Sequence, residues 1–154
     1  MKENGTSARA AAAPRERLGI SAQEFQEMGE LGAMYYRQGK LEKARTIFEG
    51  LVDLDPESAP ARAALGALLT RTEEYDEALR HLDRAVELDA EEIAPYVNRA
   101  EIFIRQGRAE AAVENLKRAV ALDPQEKDPA ANRARAMALG LAEALKARGI
   151  GGQP

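Results

Sequence analysis

The chain has 154 residues, 45% hydrophobic and 31% charged, with 5% aromatic and neither tryptophan nor cysteine. That length suits one domain, and the missing cysteines exclude disulfides and thiol chemistry. A formal charge of −4 leaves no cation surplus to grip a phosphate backbone, which argues against nucleic acid as a partner.

Taken in order, residues 1–20 carry small and charged side chains without an apolar period and read as a flexible extension, with 15–20 suited to a short docking turn. The Ala10–Ala13 run is cut off by Pro14, too short for a signal-peptide core. Ser21-Ala22-Gln23-Glu24 is a capping box that opens a helix over 22–38. Leu41, Ala44, Phe48, Leu51 and Val52 share one face of a helix over 41–54. Further helices follow at 60–71 and at 75–88, the latter with Tyr75, Ala78, Leu79, Leu82, Ala85 and Val86 on one side, then at 94–106 and 109–122. A last helix over 130–148 carries the single stripe Ala134, Met137, Ala138, Leu141 and Leu145, suited to covering the end of a core, and 149–154 reads as a disordered tail. Pro56, Pro60, Pro95, Pro124 and Pro129 all fall at or near junctions, where a missing N–H is tolerated. No apolar run approaches the ~18 residues needed to span a bilayer, so no membrane is expected as a partner.

The helices repeat. Residues 25–58, 59–92 and 93–126 superimpose at an offset of 34 without insertion. The eighth position is Gly32, Gly66 and Ala100, and the twentieth is Ala44, Ala78 and Ala112. Small residues at both points let two helices of a hairpin approach closely. The eleventh position is Tyr35, Leu69 and Phe103, and the twenty-fourth is Phe48, Leu82 and Leu116, large wedges between helices. Each unit closes on Leu-Asp: Leu54-Asp55, Leu88-Asp89 and Leu122-Asp123.

This set of small and bulky positions resembles the tetratricopeptide repeat (TPR) family. The resemblance implies an all-α fold, a right-handed superhelix of three helix-turn-helix repeats over 21–148 with a capping helix at 129–148. The chain departs from the family at the fourth position, often tryptophan, which is Met28, Arg62 and Tyr96 here, and at the seventh, where Arg99 replaces the usual leucine. Glu73 stands where Gly39 and Gly107 turn the chain in the other repeats, so a different turn is expected there.

In TPR domains the first helix of each repeat lines an inner groove. By that similarity the groove positions are Gln26, Gly29, Ala33, Tyr36 and Arg37, then Pro60, Ala63, Ala67, Thr70 and Arg71, then Ala94, Val97, Glu101, Ile104 and Arg105. A shallow apolar floor of this kind suits an extended peptide whose alternate side chains drop between helices; the same small residues also serve repeat packing. Arg37, Arg71 and Arg105 recur at one spacing and sit in the last turn of their helices, where they answer equally to a ligand carboxylate or to the helix dipole. The Lys/Asn set with which some TPR domains grip a chaperone's C-terminal carboxylate is replaced by Gly29, Ala33, Ala64 and Ala94.

Catalysis lacks its parts. His81 is the only histidine, flanked by Arg80 on a polar stretch, and reads as a surface residue rather than a base or metal ligand. No His/Cys pair or glycine-rich phosphate loop is present, so neither enzyme chemistry, metal nor cofactor is expected.

A narrower resemblance rests on the plan of three repeats, a short N-terminal extension and one extra helix, and on three stretches. These are Ile20-Ser21, Tyr35-Tyr36-Arg37-Gln38-Gly39-Lys40 and Pro95-Tyr96-Val97-Asn98-Arg99-Ala100-Glu101. They are similar to the class II chaperones of bacterial type III secretion. That resemblance implies a cytoplasmic chaperone holding a segment of a hydrophobic secreted translocator in its groove, and admits a homodimer through the N-terminal segment, although residues 1–20 offer little apolar surface. A generic TPR adaptor assembling a protein complex is the alternative.

Overall fold

The computed structural model describes residues 11–149. The parts of the expected extension and tail at 1–10 and 150–154 lie outside the described residues. Eight helices and no strand occur among the described residues: α1 (Pro14–Arg17), α2 (Ala22–Arg37), α3 (Leu41–Leu54), α4 (Ala59–Arg71), α5 (Tyr75–Leu88), α6 (Ile93–Arg105), α7 (Ala109–Ala121) and α8 (Pro129–Ala147). They gather into two compact units, one ending at Pro56 and the other beginning at Glu57.

In the first unit, Ser21 caps α2 as its spacing predicts. Its hydroxyl accepts from the Glu24 amide at 3.1 Å, while the Glu24 carboxylate accepts from the Ser21 amide at 2.8 Å. Helices α2 and α3 form a hairpin closed on Gly32, where an added Cβ would lie 2.5 Å from the Phe48 ring, so only glycine permits this approach. The docking turn expected at 15–20 is the short helix α1. Its Arg15 donates to Asp55 at 3.1 Å and stacks 5.5 Å from the centre of the Phe25 ring.

The second unit holds two hairpins, α4/α5 and α6/α7, with α8 packed on α6 and α7. Ser58 and Asp128 cap α4 and α8 through their side-chain oxygens, and each helix carries a proline in its first turn, Pro60 and Pro129. At the α4/α5 crossing, a Cβ on Gly66 would sit 2.6 Å from Leu82, and Ala78, Leu82 and Ala85 are fully buried. Ala100, Ala112, Leu116 and Ala119 build the α6/α7 crossing in the same way.

Two expectations change. The turn at Glu73 is the same as in its neighbours: Glu73 takes φ 64°, against 72° at Gly39 and Gly107. The closing amide bonds match, Glu74 to Leu69 at 2.9 Å, Lys40 to Tyr35 at 2.9 Å and Arg108 to Phe103 at 2.8 Å. The hydrogen-bonded turn holds a glutamate in a left-handed conformation that L-residues otherwise avoid. Secondly, His81 is half-buried. Its Nδ1 lies 3.0 Å from the Arg62 guanidinium, which can only donate, and its Nε2 lies 3.9 Å from Glu77. Arg62, at a position where TPR repeats often carry tryptophan, thus takes a polar partner within its own hairpin.

The junction before α8 also breaks register. Ala59 to Ile93 is 34 residues, whereas Ile93 to Pro129 is 36. Asp123 holds the longer connection, accepting from the amides of Lys127 at 3.2 Å and Asp128 at 3.0 Å and from Arg135 at 3.3 Å. Burial alone would raise the Asp123 pKa, but these amides and the guanidinium outweigh it and hold the carboxyl below its ordinary value.

Candidate functional site

Positions spaced by three and four residues share one face of a helix, so each first helix presents its candidate groove residues together. In the first unit, α2 carries exposed Gln26 and Arg37 at the two ends of that face, with half-buried Gly29, Ala33 and Tyr36 between them. Gln26 donates to Glu30 at 3.1 Å along the helix.

In the second unit the first helices lie side by side, α6 packing against α4 on one flank and α8 on the other. The candidates divide there by depth. Ala63, Thr70 and Val97 are 5%, 3% and 1% exposed, and the Thr70 hydroxyl donates to the Gly66 carbonyl at 2.8 Å. These three form the backing of the face and leave a ligand little to touch. Ala67, Glu101 and Ile104 are half-buried, while Arg71 and Arg105 are exposed.

Glu101, Ile104 and Arg105 line a cleft of about 480 Å³ between α6 and α8, completed by Arg133, Met137, Gly140, Leu141 and Ala144. Its floor is apolar and its wall cationic. Glu101 is taken up by two arginines, Arg105 at 3.2 Å and the shorter contact from Arg133, and Arg105 also approaches Glu73 at 3.7 Å. The hydrogen bond to Glu101, with lesser help from the Tyr75 side chain, holds the Arg105 pKa above its ordinary value. Sequence reasoning missed the α8 contribution because its stripe was read as a lid for the core. The signal was present in Gly140, a mid-helix glycine with nothing within 4 Å of its missing Cβ, which no packing requirement explains.

Among the described residues, no group of three or more His, Cys, Asp or Glu is placed to hold a metal, and no helix is long and apolar enough to cross a membrane.

Family models described as tetratricopeptide repeats match residues 35–100 and 93–126, which together cover the second hairpin and most of those on either side. The chain is a tetratricopeptide-repeat protein. Within that class it resembles the translocator chaperones of type III secretion. PcrH, a protein of Pseudomonas aeruginosa, in complex with the chaperone-binding region of PopD, is 28% identical with a TM-score of 0.70, over 84% of this chain and 96% of that one. A type III secretion complex from Aeromonas hydrophila gives 22% identity and a TM-score of 0.76, over 88% of this chain and 91% of that one. The Yersinia enterocolitica chaperone SycD with a peptide of the translocator YopD gives 24% identity and a TM-score of 0.69, over 84% and 97%. No curated protein matches the sequence.

Proposed function

We propose that this chain is a non-catalytic chaperone of the cytoplasm that holds an extended segment of a secreted, translocator-type protein on the faces of its first helices. The observation that carries the reading is the α6–α8 cleft, with its apolar floor of Ile104, Met137, Leu141 and Ala144 beneath Arg105 and Arg133. Apolar side chains of an extended peptide fit such a floor, and backbone carbonyls or a carboxylate suit the arginines. At the repeat position of Ile104 stand Tyr36 on α2 and the buried Thr70 on α4, and at that of Glu101 stand Ala33 and Ala67. PcrH binds the chaperone-binding region of PopD and, in a second structure, that of PopB, which supports a cargo of this class.

The mechanism is physical. A translocator carries apolar segments that aggregate in water, and shielding one of them keeps the cargo soluble until export. Burial returns about 25 cal/mol per Å², largely offset by the cost of ordering the peptide, which places affinity in the micromolar range, on the order of −8 kcal/mol. Such a complex both holds and releases.

The test is titration calorimetry with a peptide from the anchor region of a translocator encoded beside this chain. Gly140→Trp, which fills open space, and Ala67→Arg are each expected to weaken binding by about tenfold or more with the helical circular dichroism unchanged. Unaltered affinity in both variants moves the site off this layer.

A further inference from the structure

A second cleft, of about 660 Å³, lies between α6 and α7 and shares no lining residue with the α6–α8 cleft. Its floor is formed by the buried Tyr96 and Phe103 with Ala111. Arg99, Arg108, Lys117 and Arg118 stand around it, and Glu114 is the one acid among its lining residues. Arg99 is taken up by Asp83 of α5 at 3.2 Å. The other three cations are exposed and have no carboxylate partner among the described residues. Arg108 lies 4.4 Å from the centre of the Phe103 ring and Arg118 5.9 Å from that of Tyr96. Their polar contacts are long, 3.5 Å to the Gln106 side chain and 3.4 Å to the Ala90 carbonyl. Aromatic faces therefore hold the two guanidiniums in place and leave most of their donors for another group.

Repeat packing does not call for these cations. At the same positions one repeat earlier stand Glu74 for Arg108, Asp83 for Lys117 and Leu65 for Arg99. There the charges are answered within the chain. Arg84, the counterpart of Arg118, pairs with Glu57 and with Glu87 at 3.0 Å, and His81, the counterpart of Asn115, sits between Arg62 and Glu77. A chain with a net charge of −4 thus gathers unanswered cations at one place. Arg108 and Arg118 share a face of α7 and lie roughly 15 Å apart along it, at about 1.5 Å per residue. An extended polypeptide covers that distance in about five residues. Three cations supply too few phosphate contacts to draw a nucleic acid to an acidic protein.

We propose that the α6–α7 cleft docks an acidic segment of a second protein, with carboxylates about five residues apart and an apolar side chain between them. The guanidinium forks of Arg108 and Arg118 take the carboxylates, and Lys117 adds a point charge beside them. The apolar side chain rests on Ala111, between the Tyr96 and Phe103 rings. Exposed charges of this kind speed encounter and are screened by salt. This partner differs in chemistry from the apolar segment assigned to the α6–α8 cleft. The two surfaces use different sides of α6, so both can be occupied at once. The inference does not depend on what the other cleft holds.

Fluorescence anisotropy tests this with the full chain and a labelled synthetic peptide that carries an Asp-Glu pair on each side of a central leucine. The acidic peptide is expected to bind at about 50 mM salt and to weaken by about tenfold or more at about 500 mM. The same peptide with Asn-Gln pairs is expected not to bind. Arg108→Glu combined with Lys117→Asp introduces the side chains of the second repeat, and the backbone at Arg108 already matches that at Glu74, φ −90° against −88°. This double variant is expected to lose about tenfold or more in affinity with its thermal unfolding unchanged. Lys127→Glu combined with Lys146→Glu alters the net charge equally but away from the cleft, and is expected to bind within about twofold of the wild type. Retained affinity in the first double variant overturns the proposal. So does an equal loss in the second, equal binding of the Asn-Gln peptide, or displacement of the acidic peptide by an oligonucleotide of the same charge.

Discussion

At Gly66 an added methyl would sit 2.6 Å from Leu82, a side chain with no exposed surface, whereas at Gly29 the nearest atom is a Leu51 methyl at 3.8 Å. The two glycines therefore answer to different physics. Gly66→Ala is expected to destabilise the fold by about 1–3 kcal/mol through overpacking. Gly29→Ala meets only ordinary contact and is expected to stabilise by up to about 1 kcal/mol through helix propensity. Urea denaturation of both variants checks the pair, and equal destabilisation would contradict the assigned crossing. Spacing alone showed small residues at the eighth position of each repeat. It left the fifth ambiguous between packing and a groove floor, since a missing side chain looks the same in either role.

Glu92 opens α6 without capping it, and its Oε2 is buried with no hydrogen-bond partner. Burial first, then the nearby Asp89 carboxylate, raise its pKa above the ordinary 4.5. The folded state therefore holds this proton more tightly than the unfolded chain. The stability so contributed is complete below the ordinary value and is lost as pH rises through the raised one. Glu92→Gln is expected to raise the midpoint of thermal unfolding by a few degrees at about pH 7, with the difference from wild type vanishing near pH 4. A difference that does not change with pH would remove the buried charge as its cause. Nothing in the sequence separated Glu92 from Glu91, because depth beneath a neighbouring hairpin is not a local property.

Among the elements of the second unit, α6 is enclosed by α4, α5, α7 and α8, and its Val97, Ala100 and Ile102 have almost no exposed surface. Helix α8 lies at the other extreme, exposed at most positions beyond Leu141. Local opening follows buried contacts. Amide hydrogen exchange is therefore expected to be slowest in α6 and fastest, among these helices, in the last two turns of α8. Mass spectrometry of exchanged peptides measures this, and equal protection would mean that α8 is covered in solution along its whole length. The existence and span of α2 to α8 were legible to within two residues because each carries a cap, a proline junction or an unbroken apolar stripe. The altered register of α8 was not. Leu122-Asp123-Pro124 copies Leu54-Asp55-Pro56, yet Asp123 secures two further residues by binding the amides of Lys127 and Asp128. The same side-chain chemistry serves either length of connection.

At the level of the whole molecule, the 34-residue period and its in-phase small and bulky positions were enough to define paired helices, their hairpin crossings and membership of the tetratricopeptide repeats. Those properties are local, set by side-chain size at fixed spacing. Which candidate groove residues offer surface was decided elsewhere. Val97 and Ile104 are both apolar residues of one helix face, but Val97 sinks into the α6/α7 core and Ile104 opens into the cleft that α8 closes. That difference depends on where a helix two elements later comes to rest, and the position of α8 follows from a junction whose length the repeat does not dictate. Period is written along the chain, whereas depth exists only once the helices have packed.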